Sequence, residues 1–278
     1  MTSDEGRKLD RLRAIVRGYG SALVAFSGGA DSALVLKVAA DELGERARAL
    51  TAVSPTMARR EKARAVTFAA GLGVALDVIE SHELERPGFK MNPTDRCYHC
   101  KAELLDLAQP HADKLGLATV LLGTNVDDLG DHRPGLDAAR AAGIVAPLVD
   151  VGMRKSDIRH HAHAIGLGVW DKPAAACLSS RLPYGTAVTR ERLSQIGGLE
   201  ADLKALGFRQ LRVRWHDKVA RIEIDVAEIA HAVDPSIRTQ MVAAGKRHGF
   251  AYVTLDLQGY RQGSHNELLA GNALRIVS

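Results

Sequence analysis

The stretch Ala22-Leu23-Val24-Ala25-Phe26-Ser27-Gly28-Gly29-Ala30-Asp31-Ser32 decides the fold. Its first five residues are a continuous apolar run, as in a strand buried on both faces. Ser27, Gly28 and Gly29 interrupt that run, and from Ala33 to Leu43 apolar residues return at helical spacing. Strand, glycine turn and helix in that order open an α/β unit. Working outward, Arg48–Val53, Val74–Ile79 and Thr119–Leu122 read as strands and Met57–Ala70 as a helix. Ser3 caps a helix with Leu9, Leu12 and Val16 on one face. Ile144–Val149 and Gly168–Trp170 are weaker candidate strands. Apolar strands alternating with helices predict a doubly wound, mostly parallel sheet over residues 1–182.

The pattern changes over residues 183–278. Thr189 caps a helix running to Leu206, and Gln210–His216 alternates, with Leu211, Val213 and Trp215 opposite Arg212, Arg214 and His216. Asp217-Lys218 reads as a hairpin turn. The return strand sets Ala220, Ile222 and Ile224 against Arg221, Glu223 and Asp225. Asp234-Pro235 reads as an N-cap followed by a first-turn proline, and Tyr252–Leu257 as a further strand. This is a smaller α+β domain.

Composition narrows the functional classes. The chain has 278 residues, 46% hydrophobic and 25% charged, which excludes disorder as its main state. A net charge of +4 with only 4% aromatics supports neither a nucleic-acid-coating surface nor a base-stacking platform. No apolar run is long enough to span a bilayer, and the charged N-terminus lacks a signal core, so a cytoplasmic protein is expected.

The turn carries the chemistry. Ligands of doubly wound sheets bind at the carboxyl ends of strands. Gly28 and Gly29 let backbone approach phosphate oxygens, the helix N-terminus favours anions, Ser27 and Ser32 add hydroxyls, and Asp31 suits a bridging Mg2+. A glycine turn that merely lets a strand enter a helix is the plainer reading of a lone Gly-Gly. The whole Ser-Gly-Gly-Ala-Asp-Ser string is more specific, and it resembles the PP-loop of N-type ATP pyrophosphatases, which split ATP between the α and β phosphates. Gly123-Thr124-Asn125-Val126-Asp127-Asp128 reads as a second edge of that nucleotide site, although an Asn/Asp turn alone would also account for it.

Three cysteines, Cys97, Cys100 and Cys177, cannot all pair within the chain. One C-x-x-C with a distant third Cys is not a zinc ribbon. Three thiolates suit a 4Fe-4S cluster with one open iron; a redox dithiol and buried inert cysteine stay open beside it. The His160-His161-x-His163 run reads as an exposed helix face.

Together these strings resemble the LarE family, the ATP-dependent pyridinium-3,5-biscarboxylic acid mononucleotide sulfurtransferases. They are Ser27–Ser32, Asn92–Lys101, Gly123–Asp128 with Asp131–Gly135, Ala176–Thr186, Arg212-Val-Arg214, Ala220–Glu223 and Gly259-Tyr-Arg261. The resemblance implies ATP, Mg2+ and a nickel-pincer nucleotide pathway in which a substrate carboxylate is adenylated, pyrophosphate leaves, and sulfur displaces AMP. It implies Cys177 as sulfur donor in single-cysteine members, converted to dehydroalanine. In three-cysteine members Cys97, Cys100 and Cys177 hold a 4Fe-4S cluster that delivers sulfide, the version expected here. It also implies homo-oligomerisation, a sulfur donor and a nickel-inserting partner.

The residues fit that chemistry on their own terms. A carboxylate is a poor electrophile until adenylation gives its oxygen a good leaving group. An anionic mononucleotide calls for cations, so Arg212 and Arg214 are expected to contact substrate. Arg181 lies four residues beyond Cys177, and Glu200 and Glu223 are weaker candidates for substrate or metal. A solvated strand face, with charge pairs to Glu223, is the plainer reading of the arginines. Rival functions are a tRNA thiolase, an amide-forming ligase of the NAD or GMP synthetase type, and a non-catalytic nucleotide or cluster sensor.

Overall fold

In the computed structural model, which describes residues 3–129, 144–172 and 177–261, the opening apolar run is β1 (Ala22–Ala25), buried at every position. The other strands are β2 (Ala47–Val53), β3 (Ala75–Glu80), β4 (Val120–Leu121), β5 (Ile144–Val145), β6 (Leu211–His216), β7 (Val219–Ile224) and β8 (Tyr252–Leu255). In chain order the helices are α1 (Ser3–Gly18), α2 (Ala30–Leu43), α3 (Arg59–Gly71), α4 (Pro87–Lys90), α5 (Arg96–Lys114), α6 (Pro147–Asp150), α7 (Lys155–Ala164), α8 (Arg190–Ala205), α9 (Ile229–Val233) and α10 (Pro235–Arg247). No described helix is long and apolar enough to cross a membrane.

The chain divides into two units, residues 1–82 with 100–175, and residues 83–99 with 176–278. In the first, β1 to β5 form an all-parallel sheet of order β3-β2-β1-β4-β5. Leu23 stands opposite both Arg48 and Val120, so β1 is central. Strand alternation sends Ala22, Val24 and Phe26 into a core with Leu34, Val38, Ala65 and Ile158 from α2, α3 and α7. Leu23 and Ala25 enter another core with Ala108 and Ala112 of α5. Helices therefore cover both faces, as the continuous apolar strands require. The strand order reverses between β1 and β4, which is where such sheets open a crevice at their carboxyl ends.

Two candidate strands do not form as read. β5 stops at Val145 because Pro147, which has no amide to donate to a ladder, starts α6 instead. Gly168–Trp170 is a turn following the left-handed Gly166 (φ +73°).

The second unit carries a three-stranded sheet of order β6-β7-β8. β6 and β7 pair antiparallel through a turn at Asp217 (φ +54°), and β8 joins β7 in parallel. α8 packs on β6 and α10 on β8. The caps are those read from the sequence. The Thr189 hydroxyl accepts from the Arg192 amide at 3.2 Å, and Asp234 accepts from the Ser236 and Ile237 amides ahead of α10, with Pro235 in its first turn. The polar positions of β7 are not solvated as a class: Glu223 is buried along with Ile222 and Ile224.

Candidate functional site

In the first unit, the chain leaves β1 through Phe26, whose amide donates to the Leu50 carbonyl at 2.8 Å. Gly28 then takes φ +75°, a left-handed conformation that costs glycine little. Gly29 caps α2 in extended geometry without a side-chain cap hydrogen bond. The Ser32 hydroxyl donates to the Gly29 carbonyl at 3.2 Å and accepts from the Ser27 amide at 3.3 Å, and the two serine hydroxyls are 3.2 Å apart. The loop following β4 presses on this turn: a Cβ at Gly123 would lie 2.7 Å from the Ser32 nitrogen. Glycine at 123 thus lets two loops meet at the switch point. The result is a backbone-lined cradle at a helix N-terminus, which suits a phosphate chain.

Acidic and basic side chains surround that cradle. Burial pushes the Asp31 carboxyl above its ordinary range, Lys155 opposes this, and Asp128 reinforces it. Asn125, fully buried, accepts from the Asp127 amide and donates to Asp128, fixing the turn that presents both aspartates. Asp127 accepts from the Lys155 amide and the Arg154 guanidinium, each at 2.8 Å, which holds it below the usual carboxylate range. Lys155 Nζ is 3.3 Å from Asp128. Lys101 donates to the Thr124 hydroxyl at 3.3 Å, and burial pulls its ammonium down while Asp128 partly restores it. Lys172 donates to the Gly28 carbonyl at 2.7 Å. Asp31 lies within the electrostatic reach of Asp127 and Asp128, and one or two carboxylates completed by phosphate oxygens are the usual donors to Mg2+.

In the second unit, Arg181 is 3% exposed and donates to both oxygens of Glu200, at 2.9 and 3.3 Å, and to the Cys177 carbonyl at 2.9 Å. Glu200 also accepts from the Val213 amide. Arg214 forks onto Glu223 at 3.0 Å and donates to the Ser180 carbonyl at 2.8 Å. Arg221 reaches Glu223 at 3.2 Å. The Arg212 guanidinium lies 5.1 Å from the Tyr260 ring centre, and burial, with Arg181 nearby, lowers its proton affinity. The Cys177 sulfur is 2.8 Å from the Ser179 hydroxyl. Arg96 donates to Asn92 and to the Ser179 carbonyl, and Asn92 sits at φ +55° with its amide on the Pro183 carbonyl at 2.7 Å. Those contacts tie the stretch preceding the C-x-x-C to the segment following Cys177.

None of the three cysteines is in a disulfide. Cys97 and Cys100 lie three residues apart in the first turn of α5, a spacing that puts both thiols on one helix face. Three cysteines outside disulfides suit a cluster in donor chemistry. Among the described residues no group of three or more His, Cys, Asp or Glu side chains is placed to hold a metal ion.

The structure therefore brings Ser27, Gly28, Gly29, Asp31, Ser32, Gly123, Thr124 and Asp127 together at one sheet edge. Arg214 and Arg221 pair with Glu223, as in the plainer reading, but Arg214, Glu200 and Glu223 are buried rather than on a solvated face. Asp131–Gly135 and residues 173–176 lie outside the described residues, as do the side chain of Ser3 and everything after Arg261. The histidine run also differs from its reading as an exposed helix face. His161 is fully buried on the α7 face that carries Ile158 and Ala162, while His160 and His163 are exposed, because steps of about 100° per residue turn one of the three inward. Sequence reading assigned no role to Lys101, Arg154, Lys155 or Lys172. The only signal for the middle pair was a helix start, Arg154-Lys155-Ser156-Asp157, on which Asp157 accepts from the Arg154 amide.

No family model matches the chain. An uncharacterized protein of Synechocystis sp. is 43% identical over 262 residues, covering 94% of this chain and 98% of that protein. The pyridinium-3,5-bisthiocarboxylic acid mononucleotide synthase of Lactiplantibacillus plantarum is 37% identical over 249 residues, 88% of this chain and 89% of that one. An uncharacterized protein of Methanocaldococcus jannaschii is 28% identical over 241 residues, 86% and 90% of the two chains.

Proposed function

Because the chain belongs to the family of the pyridinium-3,5-bisthiocarboxylic acid mononucleotide synthase, we propose that it transfers sulfur to pyridinium-3,5-biscarboxylic acid mononucleotide at the expense of ATP, in nickel-pincer nucleotide assembly. The observation that supports the ATP step is the cradle at the end of β1, with its left-handed Gly28, the α2 amides left without a side-chain cap, and Gly123 packed on Ser32.

In the first step a substrate carboxylate oxygen bonds to the α-phosphorus of ATP. The bond from that phosphorus to the α,β-bridging oxygen breaks, and its electron pair leaves with pyrophosphate. The α2 amides and the Ser27 and Ser32 hydroxyls hold the phosphates, Gly123 and Thr124 line the adjoining edge, and Asp31 and Asp127 would hold Mg2+, which supplies charge neutralisation. In the second step reduced sulfur bonds to the acyl carbon and the carbon–oxygen bond to AMP breaks, its electron pair leaving with AMP. Arg181, fixed by Glu200, anchors the backbone of Cys177, and Arg212 and Arg214 supply cationic contacts to the mononucleotide, with Glu223 orienting Arg214.

Cys97, Cys100 and Cys177 would hold a 4Fe-4S cluster, whose chemistry is to keep transferable sulfur deprotonated. The proposal carries with it a cytoplasmic homo-oligomer served by a sulfur donor and followed by a nickel-inserting protein. The test is pyrophosphate release by anaerobically reconstituted protein, with iron and acid-labile sulfide counted in the same sample. Release with the pyridinium mononucleotide and not with tRNA is expected, as is loss of iron without loss of pyrophosphate release in Cys97→Ala/Cys100→Ala. Turnover with tRNA alone makes the protein a tRNA thiolase, and no turnover with either makes it a sensor. Iron-free protein that transfers sulfur and loses mass at Cys177 moves the donor to that cysteine.

A further inference from the structure

One ammonium stands on the phosphate loop without a part in the steps above. Lys172 Nζ lies 2.7 Å from the Gly28 carbonyl oxygen and 2.6 Å from Glu61 Oε2 of α3, although the loop and the lysine are 144 residues apart. Its side chain is 12% exposed and that of Glu61 15%. A Cβ at Gly28 would come within 3.7 Å of the Lys172 nitrogen, so the charge hangs directly over the glycine at which the backbone opens. Burial raises the Glu61 carboxyl, but the Lys172 hydrogen bond and charge, with Arg64 and Arg60, outweigh it and hold Glu61 ionised below its ordinary range.

We propose that Lys172 is a catalytic residue that takes the charge of the departing pyrophosphate, and that Glu61 is a positioning residue that parks the ammonium on the loop until a triphosphate enters. This deepens the ATP reading above and rests on it. The Gly28 carbonyl is a neutral acceptor, whereas a phosphate oxygen is an anionic one and makes the stronger hydrogen bond. Lys172 therefore exchanges its resting partners for phosphate when a nucleotide binds. Glu61 is not stranded by that exchange, because Arg60 and Arg64 lie 3.6 and 3.4 Å from its other oxygen. As the bond to the α,β-bridging oxygen breaks, the negative charge gathered on pyrophosphate meets a cation already at the loop, so little reorganisation is needed at that moment. Glu61 then competes with pyrophosphate for the same ammonium and assists product release.

The two residues are distinguished by opposite signs. Lys172→Met is expected to weaken inorganic pyrophosphate binding, measured calorimetrically with Mg2+ present, by about tenfold to a hundredfold. AMP affinity should be unchanged, which also shows that the variant is folded. Glu61→Gln removes the competitor and is expected to bind pyrophosphate about fivefold more tightly, with a lower KM for ATP and a lower kcat. Unchanged pyrophosphate affinity in a Lys172→Met variant that still binds AMP overturns the proposal. So does weaker pyrophosphate binding in Glu61→Gln, which is the result for a merely structural strut and which decides the matter if Lys172→Met fails to fold. Wild-type protein that binds neither ATP nor pyrophosphate fails the ATP reading itself, a result distinct from either variant outcome.

Discussion

The two units use charge in opposite ways. In the second, Arg181–Glu200 and Arg214–Glu223 are side chains no more than 8% exposed, each arginine forked on a carboxylate and bonded to backbone carbonyls as well. In the first, apart from the sheltered Lys172–Glu61 pair, the charges near the Ser27–Ser32 turn are more exposed, as where Arg154 meets Asp127 and Lys155 meets Asp128. A buried, bidentate pair is fixed in place, since opening it strands a charge out of water, so such an arginine can offer a ligand only the N–H groups its pair leaves over. A single contact beside a helix N-terminus is exchangeable, because an incoming anion or cation replaces what it displaces. The same residue types are thus held rigidly in one unit and in exchangeable contacts in the other, and burial decides which.

The largest effect expected from that contrast is on stability. Glu223→Ala leaves Arg214 uncompensated at a buried position and should cost about 3–5 kcal/mol in urea unfolding. Arg214→Met/Glu223→Leu should recover most of that loss while sulfur transfer stays impaired. A single Glu223→Ala variant of wild-type stability would break the comparison. Next in size, Asp31→Asn should slow pyrophosphate release by about a hundredfold with little change in folding stability, since it removes a charge from a site built for ligand. Unchanged kinetics would take Asp31 out of the mechanism.

The smallest effect is the pH dependence of stability within the first unit, where two aspartates should behave oppositely. Burial raises Asp31 above its ordinary value of 3.8, so its contribution is full below that pH and is lost as pH rises through its folded value. For Asp157 burial also pushes upward, but the Arg154 amide and Lys8, 2.8 Å away, prevail and lower it. Its contribution is full above 3.8 and is lost as pH falls through its folded value. Thermal midpoints followed from neutral to acid pH should fall less steeply for Asp157→Asn than for wild type. For Asp31→Asn they should fall more steeply, because the part of the wild type that gains on acidification is gone.

Much of this was legible in residue order. The apolar run at Ala22–Phe26, the turn at Gly28-Gly29 and the caps at Thr189 and Asp234 are local signals, and each element formed within a few residues of its reading. Strand period likewise gave the two faces of β6, with Leu211, Val213 and Trp215 inward. What failed was also local in cause: Pro147 ended β5 early, and a helix turned His161 into the core. Arg214 and Glu223 sat on the face read as polar, yet the turn at Leu178–Arg181 packs on β6 and takes a hydrogen bond from Arg214, a neighbourhood that is invisible along the chain.

Backbone conformation and apolar period depend on a few consecutive residues, so the sequence by itself determined the strand–turn–helix at Ala22–Leu43 and the alternation of elements around it. Whether a charge is sheltered, and by which partner, depends on residues brought together from far apart, as Lys172 is brought to Gly28 and Arg181 to Glu200. Electrostatic interactions strengthen as water is excluded, and only the folded chain excludes it; the tertiary structure therefore decided which arginines are locked in buried pairs and which lysine reaches Gly28.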